Sequence, residues 1–221
     1  MKLFLDTANI DTIKKWLNTR LINGITTNPT HLSKENNNPT TQIKKICSLM
    51  KKHGDVSVEV TEQKPDAVYK QAQAIAKLAP NVVVKIPCAQ EYYEIIKKLI
   101  DKKIKINSTL IFSLEQALIM AKLGAYYISP FIGRLDDIGG DGLKLIEEIR
   151  EILDTYEYKS QLLAASIRSV DHIHNSMLVG ADIATIPATL LEKMSYHPLT
   201  EIGMEKFDSD WKKLKIKKFP S

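Results

Sequence analysis

Short apolar, β-branched runs alternate with longer stretches of helical period along the whole chain. The runs that read as strands cover residues 2–6, 24–27, 56–60, 82–86, 105–109, 126–130, 161–166 and 183–186. Between them lie amphipathic stretches such as 66–78, with Ala67, Ala74 and Leu78 on one stripe, and 91–101, with Ile95, Ile96, Leu99 and Ile100 on another. Each is long enough to cross over a sheet. Several strands, above all Val82, Val83 and Val84, are apolar throughout, as strands must be when helices cover one face and packed side chains fill the other. Eight such units within 221 residues predict a compact (β/α)8 barrel rather than an open sheet. No low-complexity stretch, proline-rich linker or repeat divides the sequence, so residues 1–221 read as one domain. After the eighth strand a further helix, 198–214, has no barrel slot to fill. Its Phe207 and Trp211 fall at i and i+4, an apolar face that must lie across its own barrel or pack on a neighbour.

In such a barrel the active face is built from the C-terminal strand ends and the loops that follow them. The candidate strands deliver Asp6; Thr26 and Asn28; Glu59; Lys85; Asn107 and Thr109; Ser129 and Phe131; and Ser166 followed by Arg168. Lys85 is the sharpest of these. It follows three valines and precedes Ile86 and Pro87, so its stem leaves an apolar strand, where burial disfavours the ammonium and favours a nucleophilic amine. The alternative is a strand-end lysine that reaches solvent or pairs with a carboxylate. Asp6 and Glu59, from the first and third strands, can approach that amine from different sides. Together the three groups offer what imine chemistry requires: a proton for a departing hydroxyl and a base for a sugar hydroxyl. Structural salt bridges are the competing explanation.

Composition narrows the field. A hydrophobic share of 44% with 26% charged residues excludes disordered, collagen-like and disulfide-stapled classes. The net charge of +5 and pI near 9.0 come from lysines spread along the chain, densest at 212–218, which reads as a solvated surface rather than a nucleic-acid site. Against that lysine background the four arginines, Arg20, Arg134, Arg150 and Arg168, stand out for their planar forks. Arg134, ahead of Gly139 and Gly140, and Arg168, two residues past Ser166, belong to loops after late strands. With the Ser166 hydroxyl they suit a dianionic phosphate ester, though either arginine could be a surface residue. Cys47 and Cys88 are the only cysteines, no apolar leader opens the chain and no apolar run approaches a membrane span, so a reduced, cytoplasmic protein is expected. The glycosylation-like triplet Asn107, Ser108, Thr109 is then coincidence. His172 and His174 are spaced i, i+2, which points them to different helix faces, and no glycine-rich nucleotide fingerprint follows the first strand. Metal is discounted, and a dinucleotide cofactor is unsupported.

The order and spacing of several segments resemble the transaldolase and fructose-6-phosphate aldolase family over nearly the whole chain. They are Leu5-Asp6-Thr7-Ala8, Gly24-Ile25-Thr26-Thr27-Asn28-Pro29, Val84-Lys85-Ile86-Pro87, Gly133-Arg134-Leu135-Asp136-Asp137, Ala164-Ala165-Ser166, and Phe207 through Trp211. The resemblance implies that Lys85 is a Schiff-base lysine, Asp6 the acid/base group at the cleaved bond, and Asn28 a contact to the dihydroxyacetone portion of a ketose phosphate. It further implies that Glu59 and Thr109 handle the catalytic water, that Asn107 and Ser129 lie nearby in the sugar site, and that Arg134, Ser166 and Arg168 hold phosphate. No cofactor is implied, and in the small-subunit branch the C-terminal helices clasp neighbours in a pentamer that stacks into a decamer.

Two positions separate the branches of that family. Free aldolases typically carry glutamine where this chain has Glu59 and tyrosine where it has Phe131, so the chain resembles the transaldolases at both. A tyrosine hydroxyl near the imine would help protonate the enamine and release dihydroxyacetone; phenylalanine leaves the enamine waiting for an acceptor aldehyde. The expected reaction transfers a dihydroxyacetone unit from sedoheptulose 7-phosphate to glyceraldehyde 3-phosphate, giving erythrose 4-phosphate and fructose 6-phosphate. The rivals are fructose-6-phosphate aldolase activity and a non-catalytic phosphosugar- or nucleic-acid-binding barrel. The sequence departs from the family pattern at Thr30, often serine, and at residues 88–93, which replace a threonine- and glycine-containing turn.

Overall fold

Eight parallel strands pair in sequence order and close on themselves: β1 (Lys2–Asp6), β2 (Gly24–Thr26), β3 (Asp55–Glu59), β4 (Val82–Pro87), β5 (Ile106–Ile111), β6 (Tyr127–Pro130), β7 (Gln161–Ala164) and β8 (Ile183–Ile186), with β8 returning to β1. The structure, a computed structural model, describes residues 1–214 and 219. Eight helices alternate with the strands outside the barrel: α1 (Ile10–Leu17), α3 (Pro39–Met50), α4 (Pro65–Ala76), α5 (Tyr93–Asp101), α6 (Leu114–Leu123), α8 (Gly142–Thr155), α9 (Val170–Leu178) and α10 (Ala188–Met194). Two short helices, α2 (Pro29–Leu32) and α7 (Ile132–Asp136), are inserted after β2 and β6, and α11 (Pro198–Lys213) follows α10. The fold class is the expected (β/α)8 barrel with an extra C-terminal helix.

Alternation along the strands divides the core in two. Val82, Val84 and Ile86 of β4 join the cluster between strands and helices, whereas Val83 points inward with Phe4, Tyr127, Leu163 and Ile183. These inward residues plug the lower barrel. Phe4 has room because β2 carries Gly24 beside it: a β-carbon there would lie 2.4 Å from the ring. Two residues further along each strand the inward positions turn polar, and that layer floors the site: Asp6 above Phe4, Thr26 above Gly24, Lys85 above Val83, Ser129 above Tyr127 and Thr185 above Ile183.

Two details correct the expected pattern. In α4 the buried residues are Val68, Ala72 and Ile75, while Ala74 is exposed. The i, i+4, i+7 row that packs is displaced by one residue from the one alanines had suggested, because Val68 and Ile75 bury more apolar surface. Strand β7 ends at Ala164 rather than at 166, because Ser166 adopts a left-handed conformation (φ 59°) that a strand cannot continue.

No residue of α11 is buried: Phe207 is 73% exposed and Trp211 41%. The helix therefore does not lie across its own barrel. Of the terminal lysine cluster, Lys215, Lys217 and Lys218 lie outside the described residues. Among the described residues no helix is long and apolar enough to cross a membrane.

Candidate active site

At the C-terminal mouth a cavity of about 240 Å³ is lined by Asp6, Thr26, Asn28, Lys85, Asn107, Ser129, Phe131, Arg134, Ser166, Arg168 and Thr185, among others. That is room for a small polar metabolite, below the roughly 300–1,000 Å³ of drug-sized pockets. A second lobe shares Asn28, Lys85, Phe131 and Arg134 and adds Thr30, His31, Glu59 and Leu110. The ends of all eight strands, Glu59 of β3 among them, thus converge on one mouth, as a closed barrel with strands in register requires.

Lys85 is the centre. Its Cα pairs in register with those of Glu59 and Asn107 on either side, which places all three side chains on one level of the barrel. The Lys85 ammonium donates to Glu59 Oε2 at 2.9 Å, and both side chains are largely out of water, at 7% and 14% exposure. Asp6 does not share this contact. Its Oδ1 instead accepts from Thr26 Oγ1 at 2.7 Å, and that hydroxyl lies 2.6 Å from Thr185 Oγ1. Asp6 and Glu59 are therefore held apart, one by a hydroxyl chain across β2 and β8, the other by the lysine.

The neutral polar residues are fixed by one another. Asn107 Nδ2 donates to Ser57 Oγ (3.0 Å) and its Oδ1 accepts from Ser129 Oγ (2.7 Å), so Ser129 offers lone pairs, not its proton, to a ligand. Asn28 Oδ1 caps α2 by accepting from the His31 amide at 2.8 Å, which leaves its Nδ2 as the group free to donate. Thr109 is the exception among the expected residues. It is fully buried, lines neither lobe, and its Oγ1 has no hydrogen-bond partner among the described residues. The next residue, Leu110, takes φ 56° within an irregularity of β5 and occupies the lobe wall instead.

The two arginines are placed by the loops. Gly133 begins the turn of α7 against β7: its amide donates to Ser166 O (3.2 Å), and the Ile132 amide to Ala165 O (3.1 Å). This pins Arg134 beside the strained Ser166. The Arg134 guanidinium lies 5.2 Å from the Phe131 ring centroid, against the same ring that the Lys85 ammonium approaches at 5.6 Å. Arg168 reaches the cavity wall but donates to Asp137 Oδ2 at 2.8 Å, so its fork is held in place by a carboxylate in an exposed setting. Asp136 next to it accepts from the Gly142 amide (2.8 Å) and faces His172 Nε2 at 3.2 Å. His174, by contrast, faces an apolar groove with Met1, Met177 and Met194. The two histidines do point apart.

A sequence profile described as Transaldolase/Fructose-6-phosphate aldolase matches residues 3–218. The chain belongs to this family. Relatives along nearly the full length are each named "Probable transaldolase". The protein from Lactiplantibacillus plantarum is 49% identical over 212 residues, covering 96% of this chain and 97% of that one. The Desulforapulum autotrophicum protein is 48% identical over 213 residues (96% and 98%), and the Dictyoglomus turgidum protein 44% over 214 residues (97% and 99%). Among solved structures, thiamine phosphate pyrophosphorylase from Pyrococcus furiosus superposes with a TM-score of 0.58 at 19% identity, covering 85% of each chain. That likeness speaks for the barrel alone. In this member of the transaldolase/fructose-6-phosphate aldolase family, one buried lysine, two separated carboxylates and an arginine-bearing rim meet at one mouth.

Strand-end reasoning missed Thr185, Ser57 and His31. Thr185 was accessible to it, because alternation from Ile183 points it inward. Ser57 and His31 were not, since their roles depend on Asn107 and Asp6 reaching them across the barrel.

Proposed function

We propose that the chain is a transaldolase that moves a dihydroxyacetone unit between a ketose phosphate and an aldose phosphate through a Schiff base on Lys85. The observation that carries this reading is the Lys85–Glu59 pair at 2.9 Å on the floor of the cavity. Transfer of a proton from the ammonium to Glu59 frees the amine to attack the ketone carbon, and the same proton then returns to the departing hydroxyl, which leaves as water. The family resemblance gives Thr109 a share in holding that water, although its side chain is buried and lines neither lobe. Asp6 takes the sugar hydroxyl proton as the carbon–carbon bond breaks. Asn28, Asn107, Ser129 and Thr26 orient the three-carbon unit, and Arg134, Ser166 and Arg168 hold the phosphate, with Arg168 exchanging Asp137 for the ligand. The imine itself is the electron sink. Transfer, rather than release, is supported by Glu59, by Phe131 against the lysine, and by the names of the relatives.

Borohydride reduction in the presence of fructose 6-phosphate tests the covalent step. The intact mass is expected to gain one reduced dihydroxyacetone or ketose adduct, and Lys85→Ala to gain none; an adduct that survives Lys85→Ala refutes the assignment. Rapid release of free dihydroxyacetone without an acceptor aldehyde would replace transaldolase by aldolase activity.

The barrel and α11 act as one domain of a cytoplasmic homo-oligomer, a pentamer or a decamer of two rings. Support comes from the exposed Leu199, Ile202, Phe207 and Trp211 of a helix that buries nothing on its own barrel, and from two cysteines that are both free. Phe207→Glu with Ile202→Glu is expected to lower the mass seen by light scattering; an unchanged mass removes α11 from the interface.

A further inference from the structure

His31 is an ionisable residue against Asp6 that has no part in the chemistry above. The Asn28 cap fixes its backbone at the third position of α2, and this turns the imidazole toward β1. Nδ1 lies 3.6 Å from Asp6 Oδ1, just beyond a direct hydrogen bond, and is buried with no other partner among the described residues, although the side chain as a whole is 22% exposed. The ring also lines the second lobe of the cavity. A buried ring nitrogen aimed at a carboxylate, and at nothing else, is a donor kept for that carboxylate.

We propose that His31 is a positioning residue for Asp6 that makes carbon–carbon cleavage sensitive to pH. This rests on the reading of Asp6 as the group that takes the hydroxyl proton. With its proton on Nδ1, the neutral imidazole directs an N–H at Oδ1. That oxygen already accepts from Thr26, so a second donor holds the carboxylate plane and leaves Oδ2 for the substrate. Protonation at Nε2 turns the contact into an ion pair. The added positive charge holds Asp6 in its carboxylate form and weakens it as a base at the moment it must accept a proton.

The other charged groups around His31 do not supply the same control. Glu59 of β3 and Lys85 of β4 face the lobe but compensate one another at 2.9 Å. Arg134 of α7 faces it as a constant positive charge. Lys34 and Glu35 follow on its own segment, where Glu35 is taken up by Asn9 and Gln42. Of these neighbours, His31 is the group whose side-chain type changes charge between pH 5 and 8.

The test is the pH profile of kcat and KM for transfer from fructose 6-phosphate to erythrose 4-phosphate, in the wild type, His31→Gln and His31→Leu. The wild type is expected to lose kcat as pH falls through the imidazole window. His31→Gln, whose amide donates at every pH, keeps most of kcat but lacks that step. His31→Leu loses about tenfold in kcat at pH 8, a fraction of what an acid/base group itself supplies, with KM within about twofold. A His31→Gln profile that superposes on the wild type overturns the proposal, and so does a His31→Leu enzyme with unchanged kcat. If His31→Leu fails to fold, the His31→Gln profile decides alone. Asp6→Asn separates the two levels. If it retains kcat, the role of Asp6 fails and the inference with it; if it abolishes cleavage while the His31 variants behave as wild type, only the inference fails.

Discussion

Removing Glu59 while keeping Lys85 should cost far more stability than removing both. At 2.9 Å and an effective dielectric near 20, the pair attracts by roughly 6 kcal/mol, most of which only repays the loss of water around two groups that are 7% and 14% exposed. Glu59→Leu strands the ammonium, and Lys85→Met strands the carboxylate, each at about 3–5 kcal/mol. For a chain of this length that corresponds to a fall in Tm of about 6–20 °C. The double variant, apolar at both positions, is expected within about 1 kcal/mol of the wild type or above it. Guanidinium unfolding across the four proteins measures the coupling directly, with no reference to activity. Additive single losses, or a double variant as unstable as their sum, would refute the claim that the pair is desolvated and mutually dependent.

The remaining predictions concern the rim and the thiols. Gly133→Ala puts a β-carbon 2.2 Å from Ser166 O and 2.6 Å from Arg168 Cγ, so α7 must move away from β7; kcat/KM for phosphorylated ketose is expected to fall roughly 10- to 100-fold with the barrel still folded, and steady-state kinetics beside a thermal melt checks it. Burial pushes the Cys47 thiol up to about 11 and raises that of Cys88, so neither should react with iodoacetamide in the native protein near pH 8; both should be modified once unfolded, as mass spectrometry will read.

Strand ends made the site readable before any fold was known, and alternation is the physical reason. In a parallel barrel every second residue faces inward, so a polar residue two places after an inward apolar one marks the mouth. Lys85 after Val83 and Asp6 after Phe4 obey that rule, and Thr185 after Ile183 would have been found by it. The rule fails where the backbone leaves the strand. Thr109 obeys the alternation, but Leu110 takes φ 56° and enters the lobe wall, while Thr109 is buried and lines neither lobe. The helices α2 and α7 escaped notice because four and five residues carry no period, although they place Asn28, His31 and Arg134.

The sequence by itself determined the eight βα units, the closed barrel and most of the residues at its mouth, because strand period, helix period and spacing are local and repeat along the chain. The tertiary structure decided who partners whom: Glu59 with Lys85, Thr26 and Thr185 with Asp6, Asp137 with Arg168, His31 against Asp6. Those pairings join residues as far as 159 positions apart, Thr26 to Thr185, and follow from strand register and barrel closure, which no local pattern encodes. The exposed face of α11 belongs to the same class, since its apolar residues were legible but the surface they leave uncovered was not.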